Sequence, residues 1–367
     1  MKILQICPYD LHRPGGVQRH ILSLADAMRR RGHEVKILSP GPAPQDAPPD
    51  CLYAGQRRVI SLSGTQFEVS RASPREMGDL AAKLAVWGPD VAHYHTIWDP
   101  LLPLQLFRRL KIASVNTFHD TPPDTLSGKA LRFAFGMMAK HYFLPRLDAA
   151  VAVSPAPAQH LDGKAEILPP VTDLSRFLGN PRRPDSNFTV LFYGRLEPRK
   201  GIRVLLDAWK RKRSNMRLVI AGSGPLETDV IAAAAEDPSI QHFPRPDDDG
   251  LLHLLSRAHL AVFPSPYGES FGIVLTEALA AGLPVIAAAN AGYVNVLTGE
   301  GARGLVKPGD ASALMRKIEE FRRKPVAAEW GARHAARFDS TARAPEFEAL
   351  FHRARANWAN RMHRPVK

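Results

Sequence analysis

The chain has 367 residues, 45% of them hydrophobic and 23% charged, which is longer than one hydrophobic core usually serves and implies two domains. No apolar run reaches the roughly 18 residues of a membrane span, the start Met1-Lys2-Ile3-Leu4-Gln5-Ile6-Cys7-Pro8 is too soon interrupted for a signal peptide, and two cysteines give no disulfide framework, which fits a cytoplasmic protein. A net charge of +13 points to an anionic partner, and without zinc-finger spacing or an aromatic RNA-binding signature that partner is not nucleic acid.

In chain order, short apolar runs alternate with amphipathic stretches, the pattern of a largely parallel sheet with crossover helices. Met1 to Cys7 is expected as the first strand. Val17 to Arg31 reads as a helix with Val17, Ile21, Leu24, Ala25 and Met28 on one face, and Glu34 to Leu38 as the second strand. Runs at 90–95, 113–119 and 149–154 read as further strands. Near Arg176 to Ser186 the pattern breaks into Pro, Arg, Asn and Asp, a linker composition. A second series follows, with strands at 190–193, 218–221, 260–263 and 284–287. Helices are expected at Ile202 to Arg211, Phe271 to Ala281 and from Phe338 to about Met362. Two Rossmann-like halves with a cleft between them are expected, and ligands of such sheets sit outside the carboxyl ends of the strands.

Candidate chemistry falls at those strand ends. In Glu269-Ser270-Phe271-Gly272-Ile273-Val274-Leu275-Thr276-Glu277, Ser270 is a plausible N-cap. The amides of Phe271, Gly272 and Ile273 would then leave the helix start as an anion site. At the rise of an α-helix Glu269 and Glu277 would be about 12 Å apart, so one can hold sugar hydroxyls and the other ribose hydroxyls. Arg195 and Lys200 follow a strand and precede a helix, where a guanidinium fork and an ammonium can neutralise a diphosphate leaving group. Gly15-Gly16, ahead of Val17 and Gln18, permits a tight turn whose amides face a phosphate or an incoming acceptor. Gly222, in Ala221-Gly222-Ser223-Gly224-Pro225, opens the matching turn of the second half. Neither turn carries the full G-x-G-x-x-G pattern, which argues against a nicotinamide cofactor. His119 ends a strand, where it can meet a sugar hydroxyl. His93 and His95 share one strand face and are expected as strand-end residues lining the cleft. No carboxylate or cysteine cluster joins them, so no metal is expected. Asp247-Asp248-Asp249 reads as a helix cap.

Taken together and in this order, these stretches resemble the family-4 retaining glycosyltransferases with the GT-B fold: α/β, two Rossmann-like domains with parallel sheets facing across a deep cleft. The likeness covers nearly the whole chain, and its most specific signal is the Glu269 and Glu277 pair within Glu-Ser-Phe-Gly-Ile-Val-Leu-Thr-Glu-Ala. The stretch from Lys2 to Tyr9, leading to Pro14-Gly15-Gly16-Val17-Gln18-Arg19-His20, resembles the phosphatidylinositol α-mannosyltransferase branch. The resemblance implies an acceptor domain over 1–178, with the C-terminal helix at about 344–367 packing back on it, and a nucleotide-sugar domain over 187–343. It implies that Gly16, Arg195 and Lys200 meet the diphosphate, and that Glu269 with the amides of Ser270 to Ile273 meets the sugar. Glu277 meets the ribose and His119 a far hydroxyl of the donor sugar.

Gly222 and Arg245 are further donor candidates, and Tyr9, Gly15, Gln18 and His95 are acceptor candidates. In Phe243-Pro244-Arg245-Pro246-Asp247 proline replaces a residue whose backbone usually contacts the base, and proline has no N–H. Guanine and uracil therefore both stay open. The implied reaction is metal-free and cofactor-free transfer, with retention, from a nucleotide-diphosphate sugar to a lipid-linked or glycan acceptor. Exopolysaccharide or lipopolysaccharide-core assembly is the alternative; an epimerase or a non-catalytic nucleotide binder follows at a distance. Lys129 to Lys140 mixes cations with large apolar residues, as a segment lying on an anionic membrane surface does, which would place the protein at the inner face of the cell membrane.

Overall fold

The computed structural model describes residues 1–13, 15–62, 65–97, 102–120, 133–159, 161–213 and 215–363. It divides into two compact units, Met1–Thr172 with Ser340–Lys367, and Asp173–Asp339. The first unit holds β1 (Lys2–Ile6), β2 (Glu34–Pro40), β3 (Cys51–Ala54), β4 (Gln56–Leu62), β5 (Thr65–Arg71), β6 (Val91–His95), β7 (Ala113–Phe118), β8 (Ala149–Ala152) and β9 (Glu166–Ile167). Seven of them form one sheet in the order β3-β2-β1-β6-β7-β8-β9, every pairing parallel. β4 and β5 form a separate antiparallel ribbon.

The central strands are buried because both faces of a parallel sheet are covered: Ile3, Leu4 and Ile6 are fully buried, and so are the polar Gln5, His93 and His95 among them. The helix Gly16–Arg30 brings Ile21, Leu24 and Met28 to one face. The helix Ser340–Met362 inserts Phe347, Leu350, Phe351 and Ala354 beside them. These apolar side chains make the C-terminal segment part of the first unit's core. The helix Pro74–Trp87 covers the opposite face and starts from a capping box, Ser73 with Glu76.

The second unit holds β10 (Thr189–Tyr193), β11 (Arg217–Ala221), β12 (Ile240–Phe243), β13 (Leu260–Phe263), β14 (Val285–Ala288) and β15 (Leu305–Val306), ordered β12-β11-β10-β13-β14-β15 and again parallel. Its core includes Phe192, Trp209, Leu218, Ile286 and Phe321. Asp247 caps the helix Asp248–Arg257 by accepting the Gly250 amide at 2.7 Å, so its side chain serves that helix end.

Two expectations are corrected here. The polar stretch expected as a linker, 176–186, is fastened to the second unit. Arg182 donates to the carbonyls of Ala258 (2.7 Å) and Gly282 (3.2 Å), the Arg183 amide donates to Ser256 O at 2.9 Å, and Asp185 pairs with Arg257. Composition that reads as solvated is here used to satisfy backbone carbonyls. The second concerns the helix expected from Phe271, which runs Ile273–Ala280 and is preceded by Gly272, not capped by Ser270. Gly272 has φ +109°, outside the right-handed helical region. A Cβ there would lie 2.6 Å from the Tyr293 ring, so the close ring and the backbone geometry together require glycine. Residues 269–272 are not helical, and the helical rise does not measure the Glu269–Glu277 separation.

Candidate functional site

In the second unit, the segment after β10 makes a single 3-10 turn, Pro198–Lys200, before the helix Ile202–Trp209. Gly201 joins them with φ +74°; a Cβ there would strike the Pro264 carbonyl, so this turn sits directly against the loop after β13. That loop carries Glu269. Lys200 Nζ donates to Glu269 Oε1 at 2.6 Å, and Arg199 reaches the same oxygen at 3.3 Å. Glu197 takes Arg199 Nε at 2.8 Å on one oxygen and Arg195 at 2.9 Å on the other. Arg195, Glu197, Arg199, Glu269 and Lys200 thus form one chain of alternating charge. The Lys200 side chain is only 17% exposed, and burial pulls its pKa below the usual lysine range against the pull of Glu269. Arg195, at 43% exposure, is the open end.

The helix starting at Ile273 begins three residues beyond Ser270, and the first amides of such a helix have no intrahelical acceptor. Phe271 turns its ring onto Phe338, so only its backbone is a ligand candidate. Tyr293 braces the loop: its hydroxyl meets Ser265 at 3.1 Å, and Asn290 holds the Ser265 carbonyl at 2.8 Å. Burial and the nearby Glu269 hold the Tyr293 phenol neutral, well above its usual pKa. Glu277 is fully buried, with the Tyr193 hydroxyl 3.5 Å from Oε2; that hydroxyl makes its shorter bond, 2.7 Å, to Val274 O.

Gly222 lies against Gly194, whose carbonyl a Cβ would strike, and the Leu196 amide donates to Ser223 O at 2.9 Å. The glycine turn after β11 and the turn carrying Arg195 are therefore packed side by side. Arg245 reaches Ser223 Oγ at 3.3 Å and lines an open cavity of about 430 Å³ with Glu227, Phe243, Pro244 and Pro246.

In the first unit, Gly16 begins its helix and Gly15 caps it with no side-chain bond. Gln18 is folded over Gly15, is 7% exposed and donates to Asp10 O at 3.1 Å. The side chain expected to meet an acceptor thus closes this turn through its amide nitrogen. Tyr9 is half-buried. The expectation that His93 and His95 line a surface is corrected. Both are 0% exposed: His93 Nε2 meets Thr117 Oγ1 at 2.8 Å, while His95 bonds Gln5 Oε1 (2.8 Å) and His119 Nε2 (3.0 Å) through its two nitrogens. With no surface and both nitrogens engaged, His95 does not reach an acceptor. His119 is the member with surface, at 8%.

His20, which sequence reading passed over as part of a motif, joins this cluster from the helix Gly16–Arg30. Nitrogens of His20, His95 and His119 lie within 4.8 Å of one another, close enough to test for a metal. The test fails on proton placement. His20 Nδ1 accepts the Val171 amide at 2.8 Å, so its proton sits on Nε2, which has no hydrogen-bond partner among the described residues. A metal-bound histidine has the reverse arrangement, a bare nitrogen on the metal and an N–H turned outward. Burial holds His20 neutral with a pKa lowered to about 4, and holds His93, His95 and His119 well below the usual histidine range.

Sequence reading also missed Glu197 and Arg199. The alternation of acid and base in Arg195-Leu196-Glu197-Pro198-Arg199-Lys200 was the available signal. Tyr293, distant in sequence, left none.

Residues 14–176 match the glycosyltransferase family 4 description and residues 177–344 the glycosyl transferases group 1 description. The chain is 33% identical over 329 residues to the phosphatidyl-myo-inositol mannosyltransferase of Mycobacterium tuberculosis, covering 86% of this chain and 84% of that one. It is 31% identical over 337 residues to the Mycobacterium leprae protein of the same name, covering 89% and 88%. Among solved structures it is similar to a sucrose-phosphate synthase from Thermosynechococcus elongatus, with TM-score 0.76, 21% identity and coverage of 97% and 99%.

Proposed function

This chain belongs to the family-4 glycosyltransferases, with the GT-B fold of two Rossmann-like halves, and we propose that it moves a hexose, with retention, from a nucleotide-diphosphate sugar to a hydroxyl of a lipid-linked acceptor. The observation that carries the reading is the alternating chain Arg195–Glu197–Arg199–Glu269–Lys200, set next to the start of the helix Ile273–Ala280. Without a donor, Glu269 neutralises Lys200. An arriving diphosphate takes over Lys200 and Arg195, and Glu269 is released to accept hydrogen bonds from the sugar. The positive charge then sits where negative charge develops as the diphosphate leaves.

The acceptor hydroxyl attacks from the face the diphosphate leaves, and the leaving phosphate oxygen takes its proton. The glycosidic C–O bond to phosphate breaks as the new one forms, so no protein nucleophile or metal is required. Gly16, Gly222 and the amides of Ser270 to Ile273 are the remaining diphosphate and sugar candidates. Arg245 with its cavity is the base candidate, and His119 the partner of a sugar hydroxyl. Glu277 is the ribose candidate, and because it is fully buried that contact requires its side chain to move. The mannosyltransferase names of the relatives favour mannose and an inositol phospholipid as donor sugar and acceptor.

Transfer assays with a panel of GDP and UDP sugars and a phosphatidylinositol acceptor, with the product anomer read by NMR, test this. An α-linked product from an α-donor is expected; a β-linked product, or sugar-nucleotide isomerisation without transfer, overturns it. Running the same donors with an exopolysaccharide-type acceptor in place of the lipid tests the second reading. No helix among the described residues is long and apolar enough to cross a membrane. Of the expected membrane-lying stretch, residues 129–132 lie outside the described residues; beyond them Phe133 and Met137 are exposed at 73% and 45%. These two side chains support docking on an anionic surface. Sedimentation with phosphatidylserine vesicles, lost on Phe133→Ser with Met137→Ser, is the expected result; binding unchanged by both substitutions removes the docking role.

A further inference from the structure

We propose that Gln5 and His95 act as a positioning relay that keeps the proton of His119 on Nε2, so that its Nδ1 stands as a bare lone pair for a hydroxyl of the sugar substrate. The inference rests on the reading that His119 meets a sugar hydroxyl and adds which way that hydrogen bond runs.

Strand register brings these side chains together. On parallel β1 and β6, Gln5 pairs with His93, and on β6 and β7, His95 pairs with Thr117. Residues two apart share a face of a strand, so His93 and His95 project together, and Thr117 is followed two residues later by His119. The resulting side-chain row is closed over by Phe347 and Phe351 of the C-terminal helix, which lie 6.0 and 5.3 Å from the His93 ring, and by His20, whose ring is 5.4 Å from Phe347. Nothing in this row is exposed until His119.

A neutral imidazole has one N–H and one bare nitrogen. His95 therefore donates through one of its two contacts and accepts through the other. The Gln5 amide turns Oε1 to His95 Nε2 at 2.8 Å and leaves its own nitrogen buried without a hydrogen-bond partner among the described residues; on that orientation the proton of His95 is on Nε2, its Nδ1 accepts, and His119 Nε2 is the donor across their 3.0 Å contact. The lone pair of His119 is then left on Nδ1. Turning the Gln5 amide over would reverse each bond in turn and put an N–H on His119 Nδ1. One side chain on β1 thus decides whether the end of the row accepts or donates. Burial disfavours an imidazolium at every ring of the row, which keeps the count at one proton per ring.

His20 offers an internal reference, because the Val171 amide fixes its proton on Nε2 independently of Gln5. The test is a long-range ¹H–¹⁵N correlation spectrum of the full chain labelled at histidine nitrogens, with His119 assigned by its loss in His119→Asn. A protonated Nε2 and unprotonated Nδ1 on His119 are expected in the wild type; an N–H at Nδ1 overturns the proposal. In Gln5→Met the His119 signals should move to values averaged between the two tautomers while His20 keeps its own. Turnover should fall about tenfold, the weight of one hydrogen bond to substrate, with little change in KM for the acceptor. If His20 is unchanged and His119 keeps a single tautomer in Gln5→Met, the relay is overturned. The spectrum needs no donor, so a failed transfer assay alongside the expected tautomers removes the sugar contact and leaves the relay standing.

Discussion

The two units present the same strand ends to chemistry and furnish them in opposite ways. The first lines its central strands with imidazoles held neutral by burial. The second builds an alternating row of guanidinium, ammonium and carboxylate groups, anchored by a buried Lys200–Glu269 contact of 2.6 Å. A neutral row costs little to bury and can direct a hydrogen bond, but it cannot balance the charge of a departing diphosphate. A charged row can, provided each ion has a partner while the ligand is away. On the proposed mechanism, orientation and charge would be carried by separate halves of one chain.

The largest expected effect that tests this division is on the charged side. Lys200→Ala should cut turnover by more than about tenfold, in line with removal of one preorganised partner of a developing charge. Unchanged turnover in steady-state assays would take Lys200 out of the diphosphate role. Gly272→Ala comes next. The new Cβ would lie 2.6 Å from the Tyr293 ring at a φ of +109°, and the expected loss is about 1–3 kcal/mol. A melting temperature equal to wild type would show that the loop has room to relax.

The neutral side is broken by acid. Above the ordinary histidine pKa of 6.5 the unfolded and folded chains both hold these rings neutral, and the stability is fully present. As pH falls below that value the unfolded chain takes up protons that the folded one refuses, until His20 itself titrates at about 4. Stability should fall by about 1.4 kcal/mol per histidine for each pH unit in that window. Urea unfolding at pH 7.5 and 5.5 measures it, and a flat midpoint would mean the rings are already charged in the fold. The smallest expected effect is none: transfer should survive chelation by EDTA. Loss of activity with recovery on adding Mg²⁺ or Mn²⁺ would show that the cations of the second unit do not suffice.

Much of the architecture was legible because parallel strands buried on both faces leave short, mostly apolar runs: β13 ends where expected, and the other central strands differ at their ends by only one or two residues. Arg195, Lys200, Glu269 and Glu277 were legible as side chains because a strand end followed by a helix start is a local pattern. Their pairing was not, since Lys200 and Glu269 are 69 residues apart and meet only when Gly201 packs on the loop after β13. The helix start was misplaced for a related reason. Ser270 has the composition of a cap, but the ring of Tyr293 occupies the space beside Gly272 and moves the first helical residue to Ile273.

What the amino-acid order determined alone is the alternation of strands and helices, the two-fold repetition of that pattern, and the residue types at each strand end, all of which depend on neighbours a few positions apart. Only the tertiary structure decided that Gln18 turns inward, that the stretch around Arg182 is fastened down, and that Gln5, His20, His93, His95 and His119 share one buried site. Those outcomes depend on which distant backbone or ring fills the adjacent space, and hydrogen-bond partners in a buried site are assigned by packing.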